Sequence, residues 1–379
     1  MSTPTDAAAS RLAALSIEVD VDGDARLPAS PVRRMRSNSE LAALEVGAAF
    51  TDPTAASPKL LSPYKDARRS PSPLKRGFKK QAASFTDVGR KRENQDRWLL
   101  VERFAGLANA TLAAVLDGHG EYGAEVAAWC KDELPRQLAA DPKRLAADPA
   151  AAITAAFAAT DAALTAAAAA SAAAAEASED GPELDVEYSG TTVTLALLLG
   201  TKLYTANLGD SRAVLACTAA NGALVAESLT FDHKPTVPAE RARILAAGGR
   251  VCRHEKRQAG PLRVWLAEVW APGLAVARAF GDSVAHECGV SSVPDVSERQ
   301  LGPETRGLLL ATDGVWDVMD AQGAVDCVAP NLGAPDRACE ALIHAAQAGG
   351  SGDNVTALLL AMTPSSPVMR RPPARFPSS

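Results

Sequence analysis

Residues 110–120 read ATLAAVLDGHG, an apolar run that ends in a polar turn. The run Thr111–Leu116 is typical of a central strand that is covered on both faces. Asp117 follows it directly, and a carboxylate at the mouth of an apolar strand costs free energy unless it is paired or binds a metal. The glycines on either side of His119 let the backbone turn sharply and approach a ligand closely. The stretch therefore predicts a buried strand that carries an aspartate into a site.

Several other aspartates stand where a predicted strand meets a turn. An isolated Asp-Gly pair usually marks a plain turn. Five or six such positions in one chain instead favour a shared metal centre, because Mg²⁺ and Mn²⁺ prefer oxygen ligands. The further candidates are Asp96, Asp210, Asp282, Asp313 and Asp353.

Short apolar runs and helical stretches interleave from about residue 83 onward, which predicts a domain of mixed α and β structure. The predicted strands are Trp98–Phe104, Thr111–Leu116, Thr191–Leu199, Lys202–Ala206, Ala213–Cys217, Leu308–Thr312 and Val355–Ala361. The predicted helices are Tyr122–Leu138, Ala150–Ala175, Ala239–Ala247 and Arg337–Ala348.

The 379-residue chain has a net charge of −6 that is unevenly distributed. Residues 57–80 form a basic arm with a net charge of +7, whereas residues 81–379 carry −10. The folded part of a nucleic-acid-binding protein is usually itself basic, so an acidic body with a basic arm does not indicate one. We therefore expect no nucleic-acid partner, although a two-metal nuclease that uses the arm stays an alternative.

The chain lacks the sequence signals of secretion and of membrane insertion. We find no signal peptide, no uninterrupted strongly apolar run of about 18 residues and no CxxC pair among the six cysteines. We expect reduced thiols, no transmembrane segment, and a cytoplasmic or nuclear location or both.

Eight ordered motifs resemble those of the metal-dependent protein serine/threonine phosphatases of type 2C, and the chain is similar to plant and protist members. Together the motifs cover about residues 83–362. They are ENQD at 93–96, VLDGHG at 115–120, SGTT at 189–192, NLGDSRA at 207–213, DHKP at 232–235, RAFGD at 278–282, ATDGVWD at 311–317 and GDN at 352–354.

The resemblance implies an α+β fold, a four-layer α-β-β-α sandwich with two packed antiparallel sheets and flanking helices. The Pro- and Ser-rich ends, residues 1–80 and 364–379, predict disorder and leave 81–363 for the catalytic domain. We expect a monomer. Serines beside arginines or prolines suit protein kinases, so a kinase or an acidic protein is a candidate partner of the arm 57–80.

The resemblance also implies a site that binds two Mn²⁺ or Mg²⁺ ions per chain, with a weaker third. Asp117 would bridge the two ions, and Asp96 would ligate directly or through water. The expected metal residues are Asp96, Asp117, the carbonyl of Gly118, Asp313 and Asp353, with Asp210 and Asp282 serving the third ion or its waters.

The implied reaction is the hydrolysis of phosphoserine and phosphothreonine in phosphorylated protein substrates. Paired cations lower the pKa of a water and neutralise phosphoryl oxygens, so no serine or cysteine nucleophile is needed. The departing alkoxide needs a proton. The resemblance makes His119 the general acid, and imidazole titrates in the right range.

Three positions depart from the family pattern, of which Ala277, where the family usually has serine, is expected to have little consequence. The family often has glutamate where Gln95 stands, and glutamine carries no charge, so Gln95→Glu is expected to lower the metal requirement. The family's phosphate-binding arginine aligns with Lys91, which leaves Lys91 and Arg92 as the phosphate-binding candidates, and lysine cannot grip phosphate bidentately. These departures support a second hypothesis, a catalytically weak pseudophosphatase that acts as a regulatory binding module.

The segment Gly248–Pro272 lies where the family carries a variable flap near the substrate groove. It contains five basic residues and two tryptophans, Trp265 and Trp270. Two interpretations stay open: the flap selects acidic or phosphorylated sequences, or the tryptophans pack it onto the body while its charges are solvated.

Overall fold

The structure is a computed structural model that describes residues 18–19, 25–26, 78–177, 183–256 and 260–364. Strands β1 (Glu18–Val19) and β2 (Ala25–Arg26) pair with each other antiparallel. The disorder expected for 1–80 and 364–379 falls almost entirely outside the described residues.

Two five-stranded antiparallel sheets form the centre of the domain. Its strands are β3 (Phe78–Asp87), β4 (Arg97–Glu102), β5 (Ala110–Leu116), β6 (Gly118–His119), β7 (Gly190–Thr191), β8 (Val193–Leu199), β9 (Lys202–Leu208), β10 (Arg212–Thr218), β11 (Leu224–Ser228), β12 (Arg250–Cys252), β13 (Arg263–Trp265), β14 (Pro272–Leu274), β15 (Phe280–Gly281), β16 (Asp295–Gln300), β17 (Thr305–Ala311) and β18 (Val355–Pro364). The first sheet has the strand order β11-β10-β17-β18-β3, and the second has the order β16-β9-β8-β5-β4.

Helices cover the outer face of each sheet. The α-helices of the described residues are α1 (Gly123–Ala139), α2 (Pro142–Ala147), α3 (Pro149–Ala177), α4 (Pro238–Ala246), α5 (Ser283–Glu287), α6 (Asp313–Trp316), α7 (Ala321–Val328) and α8 (Pro335–Ala348). Helices α1 to α3 pack on the second sheet, and helices α6 to α8 pack on the first.

The side chains of β5 show why its sequence is almost entirely apolar. Successive strand residues point to opposite faces. Leu112 and Leu116 lie in the core between the second sheet and its helices, whereas Ala113 and Val115 lie in the core between the two sheets. Burial of one large apolar side chain contributes roughly 1.5–3 kcal/mol. Both faces of the strand are therefore buried, and the predicted four-layer sandwich is confirmed.

The strand register brings the predicted site loops to one end of the sandwich. In the second sheet, Leu116 at the end of β5 pairs with Arg97 at the start of β4. In the first sheet, Ala311 at the end of β17 pairs with Arg212 at the start of β10. Residues 209–211 connect β9 to β10 and so link the two sheets at this end.

Two three-stranded sheets flank this end of the domain. One has the order β15-β7-β6 and begins at the turn after β5, and the other has the order β12-β13-β14 and forms within the flap. A small core that includes Ile244 of α4, Val251 and Val264 lies beneath the flap strands. The flap strands therefore pack on a small hydrophobic core of their own.

Helix α3 is the one described helix that is long and apolar enough to cross a membrane by length and composition. Within Pro149–Glu176, an 18-residue window has a mean hydropathy of 1.4, and a third of that window is buried. The sequence was not expected to contain such a segment, because no uninterrupted strongly apolar run reaches about 18 residues. Its larger side chains, Ile153, Phe157 and Leu164, are buried in the domain core, as in a core helix of a globular protein. The helix is thus weak evidence for a membrane span.

Strand β3 was not predicted. It begins at Phe78, within the segment expected to be disordered up to residue 80, and it pairs along its whole length with β18. Its pairing partner lies at the other end of the domain sequence, with Asp87 opposite Val355. A half-exposed strand at a sheet edge depends on that distant partner, so local sequence does not reveal it.

Candidate metal centre

Three carboxylates meet at the end of the sandwich. Asp117 follows β5, Asp210 lies in the turn between β9 and β10, and Asp313 begins α6. One carboxylate oxygen from each residue lies within 4.8 Å of the other two. Asp210 is buried, and the other two are half-buried. We call these three residues the carboxylate cluster. Like charges at this separation repel, so the arrangement favours a bound cation.

Asp96 is buried near the carboxylate cluster. One of its oxygens accepts a hydrogen bond from Thr312 Oγ1 at 2.9 Å, while the other has no hydrogen-bond partner in the described part of the chain. Burial raises the pKa of Asp96 to about 7, and the charge of Asp353 adds to the rise. An orphaned buried carboxylate oxygen is costly. The residue therefore fits a cation as its missing partner.

Burial and neighbouring charges destabilise the charged forms of two cluster aspartates, Asp117 and Asp313. Burial raises the pKa of Asp117 well above its usual range, and the charges of Asp313 and Asp96 raise it further. Burial also raises the pKa of Asp313 well above its usual range, together with the charges of Asp210 and Asp353. Divalent cations bind carboxylate oxygens and offset such repulsion. The donor set therefore fits Mn²⁺ or Mg²⁺.

Asn354 joins the loop that carries Asp353 to the loop between β3 and β4. The Asn354 amide donates hydrogen bonds to the backbone carbonyls of Val88 and Glu93, both at 2.9 Å. Its Oδ1 accepts a hydrogen bond from the backbone N–H of Gln95, also at 2.9 Å. The segment between β3 and β4 is thereby held against the residue that follows Asp353.

Gly118 lies where no larger residue fits. A Cβ atom at this position would lie 2.3 Å from the carbonyl oxygen of Gly123 and 2.8 Å from that of Gln95. The Gln95 side chain donates a hydrogen bond from Nε2 to the carbonyl of Gly120 at 2.8 Å. Gln95 thus secures the turn that contains the DGHG motif, and the metal-binding role of the Gly118 carbonyl stays a prediction.

His119 pairs with Asp282. The distance between His119 Nε2 and Asp282 Oδ2 is 2.6 Å, and Asp282 is 1% exposed. A Cβ atom at Gly190 would lie 2.2 Å from the same carboxylate oxygen, so glycine in β7 makes room for it. The structure thus places Asp282 against His119, outside the three-residue cluster. Its role at a third metal ion stays a prediction.

Lys91 reaches the edge of the site. Its Nζ lies 3.5 Å from Asp353 Oδ1, and the Asp353 side chain is 47% exposed. Arg92 is exposed, and no contact in the described part of the chain links it to the carboxylate cluster. The phosphate-binding role of Lys91 and Arg92 stays a prediction.

Two charged residues of the site, Asp317 and Lys234, were not among the site residues predicted from the sequence. Asp317 follows Asp313 by one helical turn, and its backbone N–H donates to the Asp313 carbonyl at 2.8 Å. Its charge contributes to the raised pKa of Asp313. The spacing of four residues in the ATDGVWD motif was the available signal. Lys234 donates a hydrogen bond to Asp210 Oδ2, and no local pattern in the DHKP motif indicated that contact.

The flap uses its basic and aromatic residues internally. The rings of His254 and Trp270 lie 4.8 Å apart, and those of Trp265 and Trp270 lie 5.1 Å apart. The Arg250 guanidinium stacks over Trp270 at 4.4 Å and donates to two backbone carbonyls of the flap at 2.9 Å. These contacts favour the packing interpretation for these side chains. Arg257, one of the flap's basic residues, lies outside the described residues.

The family model for protein phosphatase 2C matches residues 86–355. The chain therefore belongs to the protein phosphatase 2C family, which confirms the family and the enzyme class expected from the motifs.

Two rice proteins and one crystal structure show how similar the chain is to known members. It is 41% identical over 271 residues to probable protein phosphatase 2C 64 of Oryza sativa subsp. japonica, covering 71% of this chain and 61% of that protein. It is 42% identical over 301 residues to probable protein phosphatase 2C 12 of the same plant, covering 71% and 76%. The crystal structure of serine-threonine phosphatase 2C from Toxoplasma gondii matches with a TM-score of 0.63 and 25% identity, covering 76% of this chain and 95% of that one.

Proposed function

We propose that this chain is a metal-dependent protein serine/threonine phosphatase that hydrolyses phosphoserine and phosphothreonine in phosphorylated proteins. The convergence of the Asp117, Asp210 and Asp313 carboxylates carries the proposal. Mn²⁺ or Mg²⁺ held there would supply an activated water and positive charge for the phosphoryl oxygens. We propose two ions per chain, with a weaker third.

The proposed metal ligands come from the carboxylate cluster and from residues close to it. Asp117, Asp313 and Asp353 would hold the two ions. Asp96 would bind directly or through water, which would satisfy its orphaned oxygen. The remaining proposed metal residues are the Gly118 carbonyl, Asp210 and Asp282.

We assign the role of general acid to His119. The carboxylate of Asp282, 2.6 Å from Nε2, orients the imidazole. The imidazole would deliver its proton to the departing serine or threonine oxygen. Because Asp282 is buried and held between β7 and α5, the pair has a fixed position beside the DGHG turn.

Lys91 would place a positive charge near the bound phosphoryl group. It already contacts Asp353 at the edge of the site, and its ammonium would act there as a point charge. We further propose that the protein is a monomer in the cytoplasm, the nucleus or both.

Metal dependence is the direct test of the proposed function. Hydrolysis of a phosphothreonine peptide by the full chain is expected to be absent in EDTA and to rise saturably as Mn²⁺ is added, because the proposed nucleophile is a water that the bound metal activates. Phosphate release measured across a Mn²⁺ titration checks this. An undiminished rate in EDTA would contradict the proposal.

Substitution of His119 by glutamine is expected to lower kcat for a phosphoserine peptide by about 10²–10⁴-fold. The loss with p-nitrophenyl phosphate should be much smaller, since nitrophenolate departs without a proton. The measurement is kcat for both substrates at saturating Mn²⁺. His344→Gln, at an exposed position on α8, is the matched control and should leave both rates unchanged. Equal losses with both substrates would argue against the general-acid role.

The pseudophosphatase hypothesis has support at two positions. Gln95 brings no charge and has its amide hydrogen-bonded to Gly120, and Lys91 stands where a bidentate arginine was expected. If the wild type shows no turnover at saturating Mn²⁺ while Gln95→Glu gains it, the pseudophosphatase function is favoured.

A further inference from the structure

Lys234 is a cation built into the edge of the carboxylate cluster. Its Nζ donates a hydrogen bond to Asp210 Oδ2. The Asp210 side chain is 3% exposed and that of Lys234 is 28% exposed, so the pair is largely shielded from water. The same Asp210 belongs to the three carboxylates whose oxygens lie within 4.8 Å of one another.

The backbone around His233 fixes the lysine at this place. The His233 N–H donates to the Gly209 carbonyl at 2.8 Å, and the Gly209 N–H donates to His233 Nδ1 at 3.1 Å. This reciprocal pair joins the residue before Lys234 to the residue before Asp210. These backbone contacts therefore hold Lys234 and Asp210 side by side.

The charge of Lys234 acts on more than its direct partner. It lowers the pKa of Asp313, opposing the rise that burial and the neighbouring carboxylates cause. Among the described residues, the ion pairs to the proposed metal carboxylates include Lys234 with Asp210 and Lys91 with Asp353. These lysines provide part of the positive charge that a cation would otherwise supply.

We infer that Lys234 is an internal counter-cation that competes with the third divalent ion for Asp210. This inference rests on the proposed metal-dependent function. An ion that takes Asp210 as a ligand must displace the ammonium or share the carboxylate with it, because the hydrogen-bonded oxygen is already engaged. The lysine therefore weakens the third site, and it keeps the buried Asp210 paired when the third ion is absent.

The test is an equilibrium titration of the full chain with Mn²⁺, in which the bound ions are counted by electron paramagnetic resonance. Lys234→Met removes the charge and keeps the length of the side chain. We expect the third ion to bind about tenfold more tightly or better in this variant, because close charge pairs couple by more than 1.4 kcal/mol. The tighter ions should be unaffected or strengthened to a smaller extent.

Lys202→Met is the matched control. Lys202 forms an ion pair with Glu298 at 2.6 Å on the surface, so it has the same chemistry away from the cluster, and its loss should leave Mn²⁺ binding unchanged. Asp210→Asn supplies the second test, since the effect of Lys234→Met on the third ion should vanish in that background.

Melting temperatures keep the inference testable if Lys234→Met is poorly stable. In EDTA the variant should melt below the wild type, because Asp210 loses its partner. The rise in melting temperature on adding Mn²⁺ should be larger than in the wild type. Equal third-ion affinity and an equal Mn²⁺-induced rise in the two proteins would overturn the inference, as would weaker third-ion binding in the variant. Failure of the wild type to bind any Mn²⁺ would instead overturn the proposed function itself.

Discussion

Replacement of Asp313 by asparagine is expected to reduce phosphatase activity by about 10³-fold or more. Asp313 is central to the cluster, since its oxygen lies within 4.8 Å of those of Asp117 and Asp210. A metal site supplies several kcal/mol of transition-state stabilisation, and each 1.4 kcal/mol is a factor of ten in rate. The measurement is kcat/KM for a phosphothreonine peptide at saturating Mn²⁺, alongside Mn²⁺ affinity.

The control for this substitution is Asp326→Asn. Asp326 is an exposed aspartate on α7, and its loss should change the rate less than about twofold. The Asp313→Asn protein should also remain folded in EDTA, because removal of a charge relieves repulsion with Asp210 and Asp353. A folded Asp313→Asn protein with wild-type activity would refute the site.

The metal-free protein is expected to lose stability as the pH rises from about 4 to about 7. Burial raises the pKa of Asp96 from 3.8 to about 7 in the folded chain. Between these values the folded protein holds a proton that the unfolded chain has released, so stability is greatest below pH 4 and falls until the folded carboxyl has ionised. For this one group, the loss above pH 7 is roughly 2–4 kcal/mol.

Asp96→Asn isolates this contribution from other titrating groups. In EDTA at pH 8 the variant should be more stable than the wild type by roughly 2–4 kcal/mol. The advantage should vanish towards pH 4, and saturating Mn²⁺ should reverse its sign in the wild type's favour. Urea unfolding from pH 4 to 8 checks the difference between the two proteins. Asp132→Asn, at a residue 78% exposed on α1, should leave the curve unchanged. Parallel pH profiles for the wild type and Asp96→Asn would contradict the expectation.

Most of the central strands could be predicted from the sequence. The run Thr111–Leu116 became β5, with one added residue, because both of its faces are buried and nearly every position is therefore apolar. Strand β18 likewise followed its prediction at Val355 and continues three residues further, to Pro364. Edge strand β3 escaped prediction because its stability depends on β18, which lies more than 260 residues away along the chain.

Part of the candidate site could likewise be predicted from the sequence, and part could not. Asp117, Asp210 and Asp313 were expected to converge, and the register of the two sheets brings them together. The contact between the Asp282 carboxylate and His119 was not predicted, whereas the expected role of Asp282 at a metal ion stays a prediction. The contact escaped prediction because Asp282 follows β15, which pairs with β7, and that pairing is set by residues far apart in sequence.

By itself, the amino-acid sequence determined the family, the buried strands and the set of acidic residues, because burial and turn formation leave local patterns in residue type. Only the tertiary structure decided which charges face one another: Lys234 against Asp210, Asp282 against His119 and Lys91 against Asp353. Such pairings depend on strand register and loop packing, and the residues next to a side chain in sequence do not indicate which distant residue it contacts.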